Sequence, residues 1–334
     1  MKAAFQSSFG SPDVLSVQEV ERPTVGDKDL LVRVHASPVT QGDRRLRSAD
    51  FPGFMGPIGR LMFGVFRPKY PVPGSMFAGR VVAVGKNVTR FAVGDDVFGS
   101  AMSGAQAEYI AVPAEGPVAR MPEGIDYEEA AAVSYGAGTA LTFLRDMGGI
   151  KSGDKVLIIG ASGGVGRYAV QLALHHGAEV TGVVGRNLDA ARKLGAKHLI
   201  DYRHEDFADK GERYDLILDT SNTATFGHAR RALTHNGRFL SLNLTLLLVF
   251  QMLRTRLLGG PRALGGVSMA DAAQFEELST LLGSGAIRPI IDRRFPLDSI
   301  AEAHRYLEST HPAGDIVMQV VAGSSRSQLA APTP

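Results

Sequence analysis

The sequence predicts an α/β protein in which a doubly wound parallel sheet accompanies a mostly β domain. Residues 1–122 contain short alternating runs, such as residues 30–34 and 79–84, separated by Gly, Pro and Asp turns. That pattern is typical of β strands. Beyond a helical pattern at residues 127–147, apolar β-rich runs alternate with helical spacing, as in parallel sheets covered by helices.

A strand, a glycine turn and a helix are predicted at residues 156–172, where an apolar run breaks into spaced glycines and then resumes with helical spacing. Gly160 permits a sharp turn, and Gly163 and Gly164 let the backbone approach a pyrophosphate. Gly166 lets the helix pack on the sheet, and the amides at the helix start would face the anion. The spacing is GxxGxxG rather than GxGxxG, and an ordinary glycine-rich loop is the alternative.

Further β-rich runs extend this unit into a parallel sheet, with helical stretches such as residues 187–194 between some of them. These runs are residues 178–184, 199–202, 214–219 and 237–242.

The end of the second of these strands predicts which cofactor binds. An acidic residue there would accept hydrogen bonds from the ribose hydroxyls of NAD. The strand instead ends at Arg186 without a carboxylate, and the forked donors of an arginine suit a 2′-phosphate. We therefore predict NADPH, with a solvated charge at a helix start as the alternative for Arg186. Tyr202, at the end of the third strand, is expected to stack on or beside the adenine.

Composition excludes several classes of protein. The 334 residues are 44% hydrophobic and 21% charged, which is ordinary for a globular protein of two domains. A formal charge of +2 is too small to indicate nucleic acid as the main partner, so we expect a small molecule. There is no cysteine, which excludes disulfides and thiolate chemistry. Residues 1–5 lead into β-like sequence without an apolar signal core, and we expect a cytoplasmic enzyme.

One apolar segment bears on whether the protein contacts a membrane. In residues 242–253, 9 of 12 residues are apolar, whereas a membrane-spanning helix needs about 20. We therefore predict no integral membrane segment and favour a buried helix or a subunit contact. The alternative is a membrane-surface anchor tipped by Arg254 and Arg256.

The C-terminal part predicts a return to the first domain through a helix at 269–282, a strand at 288–294, a helix at 297–308 and a strand at 315–321. The predicted division is therefore residues 1–122 with 268–322, residues 123–267, and a small polar tail at 323–334 that we expect to be flexible.

Several segments together resemble one family. They are ASPVTQGDRRLR at 36–47, PGSMFAGRVVAVG at 73–85, FAVGDDVFG at 91–99, GASGGVG at 160–166, LGA at 194–196 and IDY at 200–202. With the β domain first and the glycine turn second, the chain resembles the medium-chain dehydrogenase/reductase superfamily, in its zinc-independent quinone-oxidoreductase branch. The resemblance implies a GroES-like β domain, a Rossmann domain, an active site in the cleft between them, and a homodimer.

Departures from zinc-dependent relatives are equally informative. Where those proteins carry Gly-His-Glu and a preceding cysteine, this chain has Ser75, Met76 and no cysteine. The neighbouring His175 and His176 would point apart on a helix, and the other histidines are scattered. We therefore predict no metal site.

Without a metal, alcohol oxidation lacks its Lewis acid. We predict an NADPH-dependent, zinc-independent oxidoreductase that transfers hydride to a quinone or an α,β-unsaturated carbonyl. A zinc-free alcohol or aldehyde oxidoreductase, or a non-catalytic NADPH-binding protein with a structural or sensor role, are the alternatives.

The catalytic candidate is Thr40, where many relatives have asparagine; its hydroxyl is expected to reach an acceptor oxygen or the nicotinamide ribose, and a plain turn residue is the alternative. Asp43 is more often a helix cap than a catalyst. Phe51 stands where enoyl-thioester reductases carry a tyrosine proton donor, so the final proton is expected from water.

The resemblance supplies the remaining cofactor contacts. Thr139, after a Gly136–Gly138 turn, is expected near the nicotinamide. The pyrophosphate would lie on Ser162, Gly163, Gly164 and Val165. Thr220, Ser221, Leu242 and Asn243 would lie at the carboxyl edge of the sheet, with capping of the next helix as the alternative for Thr220 and Ser221.

Residues 51–70 read as a long apolar loop rich in Gly and Phe. Disorder disfavours so many large apolar groups. We interpret the loop as a lid or wall over an apolar pocket for a hydrophobic acceptor, with a structural flap over the core as the alternative.

Overall fold

The computed structural model describes residues 1–51, 56–185, 188–310 and 312–321. The predicted flexible tail at 323–334 and Arg186, which is predicted to select the cofactor, therefore lie outside the described residues. The described chain forms two compact units. The first comprises Met1–Phe51, Gly56–Tyr135 and the residues from Ala270 onward; the second comprises Gly136–Met269. The domain boundaries predicted at 122/123 and 267/268 stay predictions.

The first part of the chain is mostly β. Its elements are β1 (Lys2–Gln6), β2 (Leu15–Glu19), β3 (Asp29–Val39), α1 (Gln41–Ser48), α2 (Gly56–Phe63), β4 (Met76–Val84), β5 (Asp96–Ser100), β6 (Tyr109–Pro113) and β7 (Val118–Arg120).

Helices and strands alternate in the middle of the chain. The elements are α3 (Tyr127–Leu141), a π-helical turn (Thr142–Met147), β8 (Lys155–Ile159), α4 (Gly166–His175), β9 (Glu179–Val184), α5 (Leu188–Lys193), β10 (His198–Asp201), β11 (Tyr214–Asp219), α6 (Phe226–Ala229), β12 (Leu233–Ser241), α7 (Leu246–Leu258) and β13 (Arg262–Gly265).

The last elements are α8 (Ala272–Gly283), β14 (Ile291–Pro296), α9 (Ile300–Ser309) and β15 (Asp315–Gln319), and short 3₁₀ turns lie at Pro12–Val14, Arg230–Ala232 and Leu297–Ser299. The four C-terminal elements predicted from the sequence are thus present, with boundaries that differ by a few residues.

The sheet of the first unit is built around β3, which pairs with β4, β6 and β15. Its strand order is β14-β15-β3-β4-β5-β7. Strand β15 runs antiparallel to β3, with Ile316 opposite Val39, so the C-terminal strand completes a sheet that the N-terminal strands begin. Phe77, Val81 and Met318 belong to its buried core.

The second unit is a six-stranded sheet, all of whose pairings are parallel, in the order β10-β9-β8-β11-β12-β13. The α/β fold class and the five strands read from the sequence are confirmed; β13 is a sixth strand that the sequence analysis did not predict. The chain starts at β8, moves outward to β10, and returns to β11 on the other side of β8. Ligands of such sheets bind outside the carboxyl ends of the strands at this switch point.

Helix α7 corrects an expectation. The apolar segment at 242–253 was expected to be a buried helix or a subunit contact. Leu248 of α7 is buried, but Leu246 and Leu253 are exposed, so the helix is not buried as a whole. None of the helices within the described ranges combines the length and hydropathy that a bilayer crossing requires.

A buried histidine gives the first unit a pH dependence. His304 of α9 is fully buried, and neither ring nitrogen has a hydrogen-bond partner among the described residues. Burial, and secondarily the charge of Arg47, lowers the pKa of His304 from 6.5 to about 3. Below pH 6.5 the imidazole of His304 is protonated in the unfolded chain but stays neutral in the folded chain. The stability due to the neutral ring is therefore fully present above pH 6.5 and is lost as the pH falls.

We accordingly expect His304→Leu to reduce the dependence of thermal stability on pH, while the contribution of His35, whose pKa burial lowers to about 4, remains. The wild-type chain should lose about 1.4 kcal/mol per pH unit below pH 6.5 from this group, and the variant should not. Thermal unfolding monitored between pH 7 and pH 5 measures the difference. His235→Leu, at an exposed position, is the control; if it flattens the profile equally, burial of His304 is not the cause.

Candidate functional site

The glycine turn follows β8 at the switch point of the parallel sheet. Gly160 has φ +81°, and a Cβ there would lie 2.8 Å from the Thr220 hydroxyl oxygen. A Cβ on Gly166 would lie 2.0 Å from the carbonyl oxygen of Gly160. The two positions require glycine because backbone and side chains already occupy the space beside them. This is the close strand-to-helix packing that the sequence predicted.

Gly164 differs from its neighbours in the turn. A Cβ placed on it would meet no atom of the described chain within 4 Å, and Gly163 and Gly164 are both exposed. Packing within the described residues therefore does not account for glycine at 164, whereas close approach by a ligand would. Helix α4 begins two residues later and has no side-chain cap at Val165. The Arg167 and Tyr168 amides donate to the Gly163 and Val165 carbonyl oxygens at 3.0 and 3.1 Å, so an anion would meet the backbone of the turn ahead of them, at the positive end of the helix dipole.

Helix α3 packs against the same turn. A Cβ on Gly136 would lie 2.4 Å from the carbonyl oxygen of Gly164 and 2.6 Å from the Tyr168 ring. The predicted turn at 136–138 is wrong, because these residues continue α3; glycine is needed there for close packing rather than for a bend. Thr139 is half-buried on α3, one helical turn before Phe143.

The carboxyl ends of β9 and β10 lie side by side, with Asp201 opposite Val184. The ring of Tyr202 lies against Gly185, where a Cβ would come within 2.3 Å of it. Tyr202 is nevertheless 65% exposed, so the ring is accessible to a stacking partner. Hydrogen bonds from Arg203 lower the pKa of Asp201 to about 2, which keeps this carboxylate charged and engaged with its neighbour.

The end of β11 is tied to the end of β8. The Thr220 hydroxyl donates to the Ile159 carbonyl at 2.8 Å. The Ser221 hydroxyl and amide donate to the buried Asp219. The alternative that Thr220 and Ser221 cap the next helix is wrong, because α6 is capped by Thr225, whose side chain accepts from the His228 amide. Both residues instead shape the edge of the sheet.

Leu242 and Asn243 follow β12 at the same edge. The Leu242 amide donates to the Asp219 carbonyl at 3.3 Å, and the Asn243 amide donates to the Ser241 hydroxyl at 3.2 Å. The side-chain oxygen Asn243 Oδ1 is buried without a hydrogen-bond partner in the described residues. A buried acceptor without a donor is costly, so this atom is available to a donor on a ligand.

Thr40 lies in the first unit at the start of α1. Its hydroxyl donates to Asp43 Oδ2 at 2.6 Å and accepts from the Asp43 amide at 3.2 Å. Asp43 Oδ2 also accepts the Thr40 backbone N–H at 2.8 Å. The two residues therefore form a capping box, in which Thr40 is the N-cap. Burial raises the pKa of the Asp43 carboxyl, and the hydrogen bonds from Thr40 oppose that rise.

Tyr135 was missed by sequence reasoning. Its ring lies beside α1, where a Cβ on Gly42 would come within 3.0 Å of it. Burial raises the pKa of its phenol, and the charge of Asp43 adds to the rise. The signal that could have revealed it is spacing, since Tyr135 precedes Thr139 by one turn of a helix.

The apolar segment at 51–70 is not a loop throughout, because residues 56–63 form α2. The rings of Phe51 and Phe63 stack at 5.7 Å, and a Cβ on Gly59 would lie 2.4 Å from the Phe51 ring. Phe66 is 91% exposed. Phe63 lines a recess of the first unit together with Asp43 and Arg47. Residues 52–55 of the predicted lid lie outside the described residues.

Across the parts of the chain that the structure describes, no three His, Cys, Asp or Glu side chains are grouped so as to hold a metal ion. In the segment that the resemblance aligns with the Gly-His-Glu of zinc-dependent proteins, Gly74, which precedes Ser75 and Met76, has φ +90° and its Cβ position is filled by the Gln106 backbone. Met76 begins β4.

Family models match both parts of the chain. The alcohol dehydrogenase GroES-like domain matches residues 26–123, and the zinc-binding dehydrogenase family matches residues 194–318. Together with the glycine turn and the parallel sheet, they define a dinucleotide-dependent oxidoreductase with a GroES-like β domain and a Rossmann domain.

Known proteins narrow the family further. The chain is 31% identical over 321 residues to quinone oxidoreductase of Sus scrofa, covering 91% of this chain and 93% of that protein. It is 27% identical over 337 residues to the chloroplastic NADPH-dependent alkenal/one oxidoreductase of Arabidopsis thaliana, covering 95% and 79%. The solved structure of the quinone oxidoreductase from Coxiella burnetii superposes with a TM-score of 0.84 at 27% identity, covering 96% and 99%. The chain therefore belongs to the quinone-oxidoreductase-like group of the medium-chain dehydrogenase/reductase family.

Proposed function

We propose that this enzyme uses NADPH to reduce a quinone or an α,β-unsaturated carbonyl, and that it does so without zinc. The observation that carries the proposal is the open space in front of Gly164, at the switch point of the parallel sheet. The names of the quinone and alkenal/one oxidoreductases to which the chain is similar support the class of acceptor.

The residues around the turn fit a dinucleotide. We propose that the pyrophosphate lies against the turn residues Ser162, Gly163, Gly164 and Val165 and that Tyr202 stacks on the adenine. The Gly163 amide already donates to the Gly160 carbonyl at 2.9 Å, so we assign it no bond to the ligand. Thr220 and Ser221 shape the carboxyl edge of the sheet. Thr139, Leu242 and Asn243 would surround the nicotinamide, whose reduced form supplies hydride when bound.

The protein has little chemistry of its own to add, because the acceptor is already electrophilic. As hydride adds to the acceptor, an electron pair moves onto its oxygen, which a proton then neutralises. We propose that the Thr40 hydroxyl turns from Asp43 to donate a hydrogen bond to that oxygen. Asp43 keeps a partner when this happens, because it also accepts the Thr40 backbone N–H. Water supplies the final proton.

The composition argues against a catalytic zinc, although one matched family is described as zinc-binding. Zinc in this superfamily relies on cysteine and histidine ligands, and the chain contains no cysteine. Ser75 and Met76 are poor replacements, because neither offers an anionic or imidazole donor.

The decisive experiment follows the absorbance of reduced nicotinamide in metal-chelated buffer. The acceptors are one quinone, one 2-alkenal and one simple aldehyde, each tested with NADPH and with NADH. We expect turnover of the quinone or the alkenal that survives chelation. Loss of activity on chelation would contradict zinc independence, and turnover of the aldehyde alone would favour a zinc-free aldehyde reductase. Tight NADPH binding without turnover would favour a structural or sensor role.

Cofactor preference gives a separate prediction. We expect Arg186→Gln to weaken NADPH binding about tenfold or more and to leave NADH binding unchanged, because only NADPH carries the 2′-phosphate that a guanidinium grips. Fluorescence titration measures both affinities. Arg192→Gln, which removes an exposed arginine from α5, is the matched control; an equal loss there would mean that general charge, rather than Arg186, sets the preference.

Two further expectations stay predictions. A homodimer is expected from the resemblance, and light scattering in solution tests it. A cytoplasmic location also stays a prediction, and fractionation of cells tests it.

A further inference from the structure

Helix α7 presents an apolar surface that nothing in the described chain covers. Leu246, Phe250, Leu253 and Leu257 follow one another at intervals of four, three and four residues, which places them on one stripe of the helix. Leu247 extends the stripe sideways, and Leu258 ends it. We call these six side chains the outer face of α7. They are 60–84% exposed, which is unusual for large apolar groups so close together.

The opposite side of α7 fixes this orientation. Leu248 is buried in the core of the second unit, and Met252 packs against that core. Leu248 also fills the space beside Gly265 of β13, and the Thr255 hydroxyl accepts from the Ala263 amide at 3.2 Å. Because the inner side is tied to the sheet, the helix cannot roll its outer face inward without giving up these contacts.

Within the stretch of chain that carries α7, the charged side chains have a single sign. Residues 220–270 contain six arginines and neither aspartate nor glutamate. At about 100° per residue, Arg254 and Arg256 lie roughly 70–90° to either side of the apolar stripe. Arg254, Arg256 and the exposed Arg262 take part in no ion pair within the described residues, whereas Arg231 and Arg238 of the same stretch pair with Asp209 and Asp154.

We propose that the outer face of α7 docks on the surface of an anionic phospholipid bilayer. An exposed apolar stripe flanked by arginines is the pattern of helices that lie in the plane of a membrane interface, and each arginine near an anionic surface adds to the attraction. The small net charge of +2 means that this attraction is local to α7 and its surroundings.

A second copy of the chain fits this surface less well. A two-fold interface presents the same patch on both partners, so the arginines of one outer face would meet those of the other. The acid-free stretch supplies no carboxylate to neutralise them, and like charges at an interface are unfavourable.

The inference goes beyond the proposed reaction and does not rest on it. Vesicle binding needs neither cofactor nor acceptor, so its failure would leave the proposed reaction untouched. A lipid-docked enzyme would, however, meet apolar acceptors where they partition.

The experiment is flotation of the full-length protein with two kinds of vesicle, phosphatidylcholine alone and phosphatidylcholine mixed with phosphatidylglycerol. We expect binding to the mixed vesicles only, and weaker binding at high salt. Arg254→Gln/Arg256→Gln should lower the partition coefficient about 25-fold, or about fivefold per arginine. Leu253→Ser/Leu257→Ser should lower it at least tenfold, because two apolar anchors are lost.

Matched controls are Arg192→Gln/Arg213→Gln, two exposed arginines of the second unit, and Val93→Ser, an exposed apolar side chain of the first; both should bind as the wild type does. The arginine pair keeps the test valid even if the leucine pair fails to fold. Three results would overturn the proposal: no binding to mixed vesicles, an equal loss in the controls, or α7 variants that dissociate a dimer while vesicle binding is unchanged.

Discussion

Gly164→Val is expected to abolish tight NADPH binding while the protein remains folded, with a loss of about 100-fold in affinity. The first Cβ atom at this position meets no protein atom within 4 Å, so folding has no steric reason to fail. The same space is where a pyrophosphate would approach the backbone. The valine methyl groups would therefore displace the ligand rather than any part of the protein. Fluorescence titration with NADPH and thermal unfolding of the unliganded protein measure the two effects.

Gly227→Val provides the matched control. Gly227 is exposed on α6 of the same unit, and its Cβ position is likewise open. This variant should keep both its stability and its affinity for NADPH. If Gly164→Val binds NADPH as the wild type does, the turn does not hold the pyrophosphate, and the proposed cofactor site is wrong.

Gly166→Ala is expected to have the opposite effect: it should destabilise the unliganded protein, whereas Gly164→Val should weaken NADPH binding and leave stability unchanged. Its Cβ would lie 2.0 Å from the Gly160 carbonyl oxygen and 3.0 Å from the Ala161 Cα. Both are backbone atoms, which cannot move aside as a flexible side chain can. Overpacking of this kind costs about 3 kcal/mol, and the strain falls on the junction of β8 and α4. Thermal unfolding should show a lower midpoint for the unliganded protein.

Amide hydrogen exchange locates that strain. Protection should fall first in β8 and α4, while amides of the first unit exchange as before. Gly227→Ala, which adds the same methyl group to open space, should be neutral or slightly stabilising in its helix. If the Gly166→Ala protein is as stable as the wild type, the turn can accommodate a Cβ atom at position 166, and the steric argument is wrong.

Much of the parallel sheet was predictable, because each buried strand is recognisable in the sequence as an apolar run bounded by turn residues. The glycine pattern also located the strand-to-helix turn, since the need for glycine at 160 and 166 arises from neighbours close in sequence. Strand β13 escaped notice because four residues, Arg262–Gly265, are too few to display an alternation.

Other features depend on contacts that local sequence does not reveal. The sequence predicted a turn at Gly136 and Gly138, but glycine is required at 136 because a Cβ there would collide with the Gly164 carbonyl. The apolar residues at 51–70 gave no sign of α2, because glycine and proline at 56 and 57 suggest a loop. The capping box was predicted only in part: the sequence indicated Asp43 as a helix cap, whereas the N-cap residue is Thr40. The position of Tyr135 beside the helix that Thr40 and Asp43 cap could be found only from the fold.

The pairing of β15 with β3 has a consequence for the order of folding during synthesis. Residues 136–269 are contiguous, so the second unit has all its strands once β13 has left the ribosome. The first unit must wait for β15, near the C-terminus, before the edge of β3 between Ala36 and Val39 is covered. Until then the nascent chain carries an open strand edge, which is the kind of surface on which chains aggregate. The unit whose strands are synthesised first is thus the last to become protected. We expect chaperones to act mainly on the sheet of this first unit.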